Sequence, residues 1–145
     1  MQVEDIASGV DWQGFETLVA DIFRAHDFKV KQNFRFKTSS RHEIDVIAVD
    51  GRFMICVDCK HWSGGRSKVY GLKSAVKDQR KRVRELQRFL KKNVVARKML
   101  GTDSKEMLPM VVTLMEEEMV NESGVWVVPV SKFNSFLAEK ENYLT

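Results

Sequence analysis

Apolar residues return along the chain in two rhythms. From Trp12 to Phe23 they fall at Trp12, Phe15, Leu18, Val19, Ile22 and Phe23, the three-and-four spacing of one helix face. Asp11 stands where an N-cap belongs, so the pattern predicts a helix of about fourteen residues. Phe28 to Phe36 alternates in part, through Phe28, Val30, Phe34 and Phe36, as a strand does, and Lys37-Thr38-Ser39-Ser40-Arg41 follows as a polar loop. Glu43 to Val49 and Arg52 to Lys60 are strand candidates joined by Asp50-Gly51, a dipeptide that favours a tight hairpin. His61 to Arg66 contains Gly64-Gly65 and reads as loop. Leu72, Val76, Val83, Leu86 and Leu90 then mark a long amphipathic helix, with Gln79 at a stripe position where an apolar residue is expected. Gly101 to Glu106 reads as a turn region. Met110 to Met115 and Val125 to Val130 read as buried strands on either side of Glu116-Glu117-Glu118. Ser131 caps a short last helix through Phe133, Phe136 and Leu137. The order α-β-β-β-α-β-β-α predicts an α/β fold, a mixed sheet of about five strands flanked by helices.

The hairpin carries the candidate chemistry. With Asp50-Gly51 as a two-residue turn, Asp45 pairs with Cys56 and Glu43 with Asp58. Alternation then gathers Ile44, Val46, Ala48, Phe53, Ile55 and Val57 on one apolar face. The other face turns polar at its far end, where Glu43, Asp45, Asp58 and Lys60 meet. Carboxylates crowded on adjacent strands repel and resist ionising together. A divalent cation removes that conflict, and oxygen ligands suit magnesium or manganese. Lys60 lies within reach of an attacking water or a phosphate oxygen. A Lys60–Asp58 ion pair, with Glu43 and Asp45 in solvent, is the purely structural use of the same residues. On the first helix Glu16 falls at the rim of the apolar arc, from where it reaches the polar end of the sheet, while Asp21 and Arg24 lie on the solvent side. Charge complementarity with the helix N-terminus is the other use of an acid there.

Composition narrows the classes. The 145 residues are 43% hydrophobic and 30% charged, as in a folded domain, and a single domain is expected. No apolar run approaches the ~20 residues of a membrane helix, and the acidic start Met1-Gln2-Val3-Glu4-Asp5 lacks a signal-peptide pattern. With two cysteines only, a reducing cytoplasm is the expected location. The net charge of +4 conceals an asymmetry: Arg66 to Lys98 holds thirteen basic residues against Asp78 and Glu85. Solvated helix faces usually mix signs, so this stripe points to a polyanion, most simply DNA, with Lys73, Lys77, Arg80, Arg84, Arg88 and Arg66 as contacts. Cys56-Val57-Asp58-Cys59 is formally a CxxC, but inside a strand its members face opposite ways, and His26, His42 and His61 show no zinc spacing. Buried small cysteines are the better reading.

Asp45, twelve residues, then Asp58-Cys59-Lys60 resembles the PD-(D/E)XK nuclease motif, with Ile44 in place of the proline. Glu16, within Gly14-Phe15-Glu16, is similar to the helix glutamate of Mrr-like restriction endonucleases and archaeal Holliday-junction resolvases. Asp58-Cys59-Lys60-His61-Trp62 and Gly124-Val125-Trp126-Val127-Val128 resemble the core and closing strands of the Mrr-like group, so the likeness spans about residues 11 to 138. It implies a restriction-endonuclease-like core and metal-dependent DNA cleavage. Asp45 and Asp58 would be magnesium (or manganese) ligands with the Cys59 carbonyl, Glu16 a further ligand, and Lys60 the residue that positions water. Glu43, which the expected pairing sets opposite Asp58, would either replace Glu16 or simply repel. His61 borders the site, and Gln79 matches a glutamine of some branches or sets helix register. Without a helix-turn-helix or zinc-finger pattern, structure-selective or non-specific cutting is expected. A homodimer is expected, with Trp126, Phe133 and Phe136 as contact or as core. The competing classes are an inactive DNA-binding module of this fold and an assembly subunit whose basic helix docks an acidic partner.

Overall fold

The structure, a computed structural model, describes residues 12–61, 68–102, 105–114 and 118–144. Helix α1, Trp12–Ala25, precedes strands β1, Lys29–Lys37, β2, Arg41–Val49, and β3, Phe53–Lys60. Helices α2, Lys68–Lys91, and α3, Val94–Leu100, lead to β4, Glu106–Thr113, β5, Val120–Glu122, and β6, Val125–Pro129. Helices α4, Val130–Ala138, and α5, Lys140–Tyr143, follow. The six strands form one mixed sheet in the order β1-β2-β3-β4-β6-β5, antiparallel except where β3 pairs with β4 and β4 with β6. The α/β expectation holds, with β5, α3 and α5 added to it. No helix among the described residues is long and apolar enough to cross a membrane.

Two faces of the sheet are covered. Phe15, Val19 and Phe23 of α1 and Phe133, Phe136 and Leu137 of α4 bury Val46, Ala48, Ile55, Val57 and Val128. On the other face Val83, Leu86 and Leu90 of α2, with Ala96 and Leu100 of α3, cover Ile47, Val49, Met54 and Cys56. Helix α1 ends in a Schellman arrangement, in which Phe28 N–H donates to the Phe23 carbonyl and Asp27 N–H to that of Arg24. Asp27 takes the left-handed position at φ 66°, and the Phe23 and Phe28 rings meet edge-on at 5.1 Å. Helix α4 begins at Val130 after Pro129 with no side-chain cap, so Ser131 is not the cap. Phe133 and Phe136 are buried within the chain, and the half-buried Trp126 packs on Phe136 and Tyr143, so these aromatics serve the core.

Pro109 sits inside β4 without cost to the sheet. Glu106 N–H donates to the Arg52 carbonyl and Leu114 N–H to that of Lys60, so even-numbered β4 residues address β3. Pro109 faces the other way, where pairing with β6 starts only at Met110, and its missing N–H removes no ladder bond.

Candidate active site

The β2–β3 hairpin sets the site, and its register differs from the one expected. Asp50 is the first corner of the turn and not a central residue, because its Oδ1 accepts the N–H groups of Arg52 (2.8 Å) and Phe53 (2.7 Å). The two-residue turn is therefore Gly51-Arg52, and Val49 pairs with Met54, Ile47 with Cys56 and Val46 with Val57. This is a slip of two residues, which keeps every side chain on its face but changes its neighbour. One step further along, Asp45 and not Glu43 comes level with Asp58.

At that step the sheet forks. Paired positions between β2 and β3 end at Val46–Val57, whereas β2 continues against β1 to Arg41–Lys37 and β3 against β4 to Lys60–Thr113. The kink that opens the fork lies at Asn33 of β1, opposite Asp45, where φ is 54°. An asparagine tolerates this left-handed conformation, and it breaks the alternation of the strand. Before it, Val30 packs toward α1; beyond it, Phe34 and Phe36, with Ile44 beside them on β2, join the α2 cluster. Ile44 therefore leaves the apolar face that alternation assigns to it.

Five candidate residues, Glu16, Asp45, Asp58, Cys59 and Lys60, line the fork. Cys59 N–H, released from its β2 partner, donates to Asp45 Oδ2 at 2.9 Å. The N–H and C=O of a strand residue share one side, so the Cys59 carbonyl faces the fork as well. The Asp58 carboxyl lies close beside Asp45. Burial pushes Asp45 up to about 7 against the Cys59 N–H, and the negative charges of Asp58 and Glu16 push the same way. Asp58 is buried; its Oδ2 has no hydrogen bond and sees Lys60 Nζ at 3.2 Å and Arg82 Nη1 at 3.8 Å. The Lys60–Asp58 pair thus forms, but Asp45 is half-buried and not solvated. Glu16, 3% exposed, enters from α1. With its nitrogen toward the carboxylates, the Asn33 amide donates to Glu16 Oε2 at 3.0 Å and Glu43 Oε1 at 3.3 Å. Asn33 gave no signal in the sequence; only the strand pairing reveals it.

Glu43 is exposed, faces Arg35 across β1–β2 and lies 3.5 Å from its Nε. His61, just beyond the end of β3, sets its ring 5.9 Å from that of Phe15 at a tilt of 49°. Gln79 is fully buried: its Nε2 donates to the Cys56 carbonyl at 2.8 Å, and its Oε1 accepts from Arg82 Nη1 at 3.1 Å. It is a core register residue that holds Arg82 toward Asp58. Cys56 and Cys59 are free and buried; burial raises Cys56 to about 12 and Cys59 well above its ordinary value, so neither suits redox chemistry.

Among the described residues no three His, Cys, Asp or Glu side chains close on a common metal-binding point. The donor chemistry nevertheless fits a hard divalent cation. A buried carboxylate oxygen without a hydrogen bond, and a carboxyl raised by burial and by two like charges, are the conflict such an ion resolves.

Lys73, Lys77, Arg80 and Arg84 are exposed along one side of α2, where they line a groove of about 310 Å³ with Glu122 and Ser123. At ~100° per residue, Arg80 and Arg84 stand about 160° around the helix from Arg82, on the flank away from Asp58. Arg88 pairs with Glu85 at 3.1 Å, and Arg66 lies outside the described residues.

The sequence matches the nuclease-related domain family, NERD, over residues 12–113. An uncharacterized protein of Archaeoglobus fulgidus is 33% identical over 134 residues, which cover 92% of this chain and 94% of that protein. The crystal structure of AF1548, a protein of unknown function, shares the fold with a TM-score of 0.54 at 15% identity, over 91% of this chain and 67% of that one. VC1899 from Vibrio cholerae gives a TM-score of 0.48 at 16% identity, over 91% of this chain and 33% of its own.

Proposed function

The chain belongs to the nuclease-related domain family, and on that premise we propose that it is a metal-dependent endodeoxyribonuclease of the PD-(D/E)XK kind, related to the Mrr-like and resolvase-like groups. The observation that carries this reading is the fork, where Asp45, Asp58 and Glu16 act on one another electrostatically with Lys60 beside them. Asp45, Asp58 and Glu16, with the Cys59 carbonyl, would hold magnesium or manganese, which when bound would supply the charge that polarises the phosphodiester and acidifies water. Lys60 orients the attacking water and stabilises negative charge developing on the phosphate. Arg82, fixed by Gln79, stands beside Asp58 as a counter-charge and helps hold it at the fork. Asn33 holds Glu16 in place. Lys73, Lys77, Arg80 and Arg84 bind phosphates away from the reacting bond. Contacts of this kind favour structure-selective or non-specific cutting.

The test is nicking of supercoiled plasmid with magnesium, manganese or EDTA. Metal-dependent nicking by the wild type, abolished in Asp45→Asn while DNA binding persists, supports the reading. Binding without cleavage in either metal assigns the protein to inactive modules of this fold; absence of both leaves the basic helix to an acidic protein partner. Cutting both strands calls for two sites, so we expect a two-fold dimer, checked by light scattering.

A further inference from the structure

Beyond the fork, β1 and β2 continue as a two-stranded arm. One face of it is apolar: Phe34 and Phe36 pack near Phe89 of α2, at ring distances of 6.4 and 5.4 Å. The other face presents Arg35, Lys37, Arg41 and Glu43, all exposed. Lys37 and Arg41 lie directly opposite each other across the two strands, and neither forms an ion pair with another described residue. Like charges at such a pair destabilise it, and an anion seated between them removes the penalty. These residues flank a concavity of about 570 Å³.

The patch runs into the carboxylates. Arg35 Nε lies 3.5 Å from Glu43 Oε1, Glu43 shares the Asn33 amide with Glu16, and Glu16 enters the fork. The α2 row has no such continuity, since it occupies the flank opposite Arg82. Arg35 and Lys37, two strand residues apart, are separated by about 6.8 Å, close to two 3.4 Å steps along one nucleic-acid strand.

We infer that the β1–β2 arm is a phosphate clamp in which Arg35, Lys37 and Arg41 grip the nucleic-acid backbone beside the scissile bond. The inference rests on the nuclease reading and adds the surface that brings the strand to it. Glu43 serves here as a spacer that holds Arg35 on the arm, not as a metal ligand. Asn33 positions both the arm and Glu16.

The experiment compares duplex DNA binding over a salt series for Asp45→Asn and for Asp45→Asn with Lys37→Ala and Arg41→Ala. A second arm of the test measures nicking by Lys37→Ala/Arg41→Ala with the site intact. Loss of two phosphate contacts lowers the log–log salt slope by about 1.8. Nicking then slows at low DNA concentration and recovers at saturation, a rise in KM with kcat kept. An unchanged slope and KM, with the wild type still nicking, overturn the clamp and leave the nuclease reading intact. A wild type that neither binds nor nicks DNA overturns both.

Discussion

In the metal-free protein, Asp45→Asn stabilises at pH 8 and changes little at pH 4. The carboxyl is raised from 3.8 to about 7 in the folded state. Between those values the folded protein keeps a proton that the unfolded chain releases. Its contribution to stability is therefore full below about pH 4, declines as pH rises to about 7, and stays lost above that. Holding a charge against that gradient corresponds to ~4 kcal/mol at most, and the partial exposure of Asp45 reduces it to ~2 kcal/mol. Asparagine reproduces the neutral acid, since its oxygen accepts the Cys59 N–H and its nitrogen stands beside Asp58. Thermal melts in EDTA should then show a Tm gain of about 4–8 °C at pH 8 and almost none at pH 4. Added magnesium should raise the wild-type Tm at pH 8 and not that of the variant. An equal effect at both pH values, or destabilisation at pH 8, refutes the electrostatic account of the fork.

Three further outcomes are expected. Gln79→Ala leaves Arg82 without its brace and a cavity in the core, and denaturant unfolding should show a loss of about 2 kcal/mol. Cys56 and Cys59 should not react with a thiol reagent at pH 8 until the chain unfolds; rapid native labelling would contradict their burial. Lys60→Met should abolish nicking while metal-dependent stabilisation persists, because Asp58 keeps Arg82 as a counter-charge.

Much of this was legible in the sequence, for physical reasons that differ by element. Helix α1 and the stripe of α2 bury one face each, so their periodicity is strong, and the rim position of Glu16 follows from it. The faces of β2 and β3 were legible because alternation survives any even slip. The register was not, since an aspartate before glycine serves equally as the first or a central turn residue and only its side-chain bonds decide. Helix α3 escaped because Val94, Val95 and Met99 are exposed, which leaves Asn93 and Gly101, its caps, as the only signal. Strand β5 is three residues long, too short to show a period, and is held by a turn in which Ser123 and Gly124 both have positive φ. The break at Asn33 belongs to no periodic pattern, so the fork and the arm beyond it were invisible.

The Asp50 turn has a consequence at long range. Because a slip of two residues exchanges one apolar neighbour for another on the same face, the core discriminates poorly between the two phases of the hairpin. The two N–H groups gathered by Asp50 favour one phase over the other. Asp45 lies five residues from that turn, about 17 Å along the strand. Natural variation at position 50 can therefore spare expression and solubility and still silence the site, through a residue that touches none of its members.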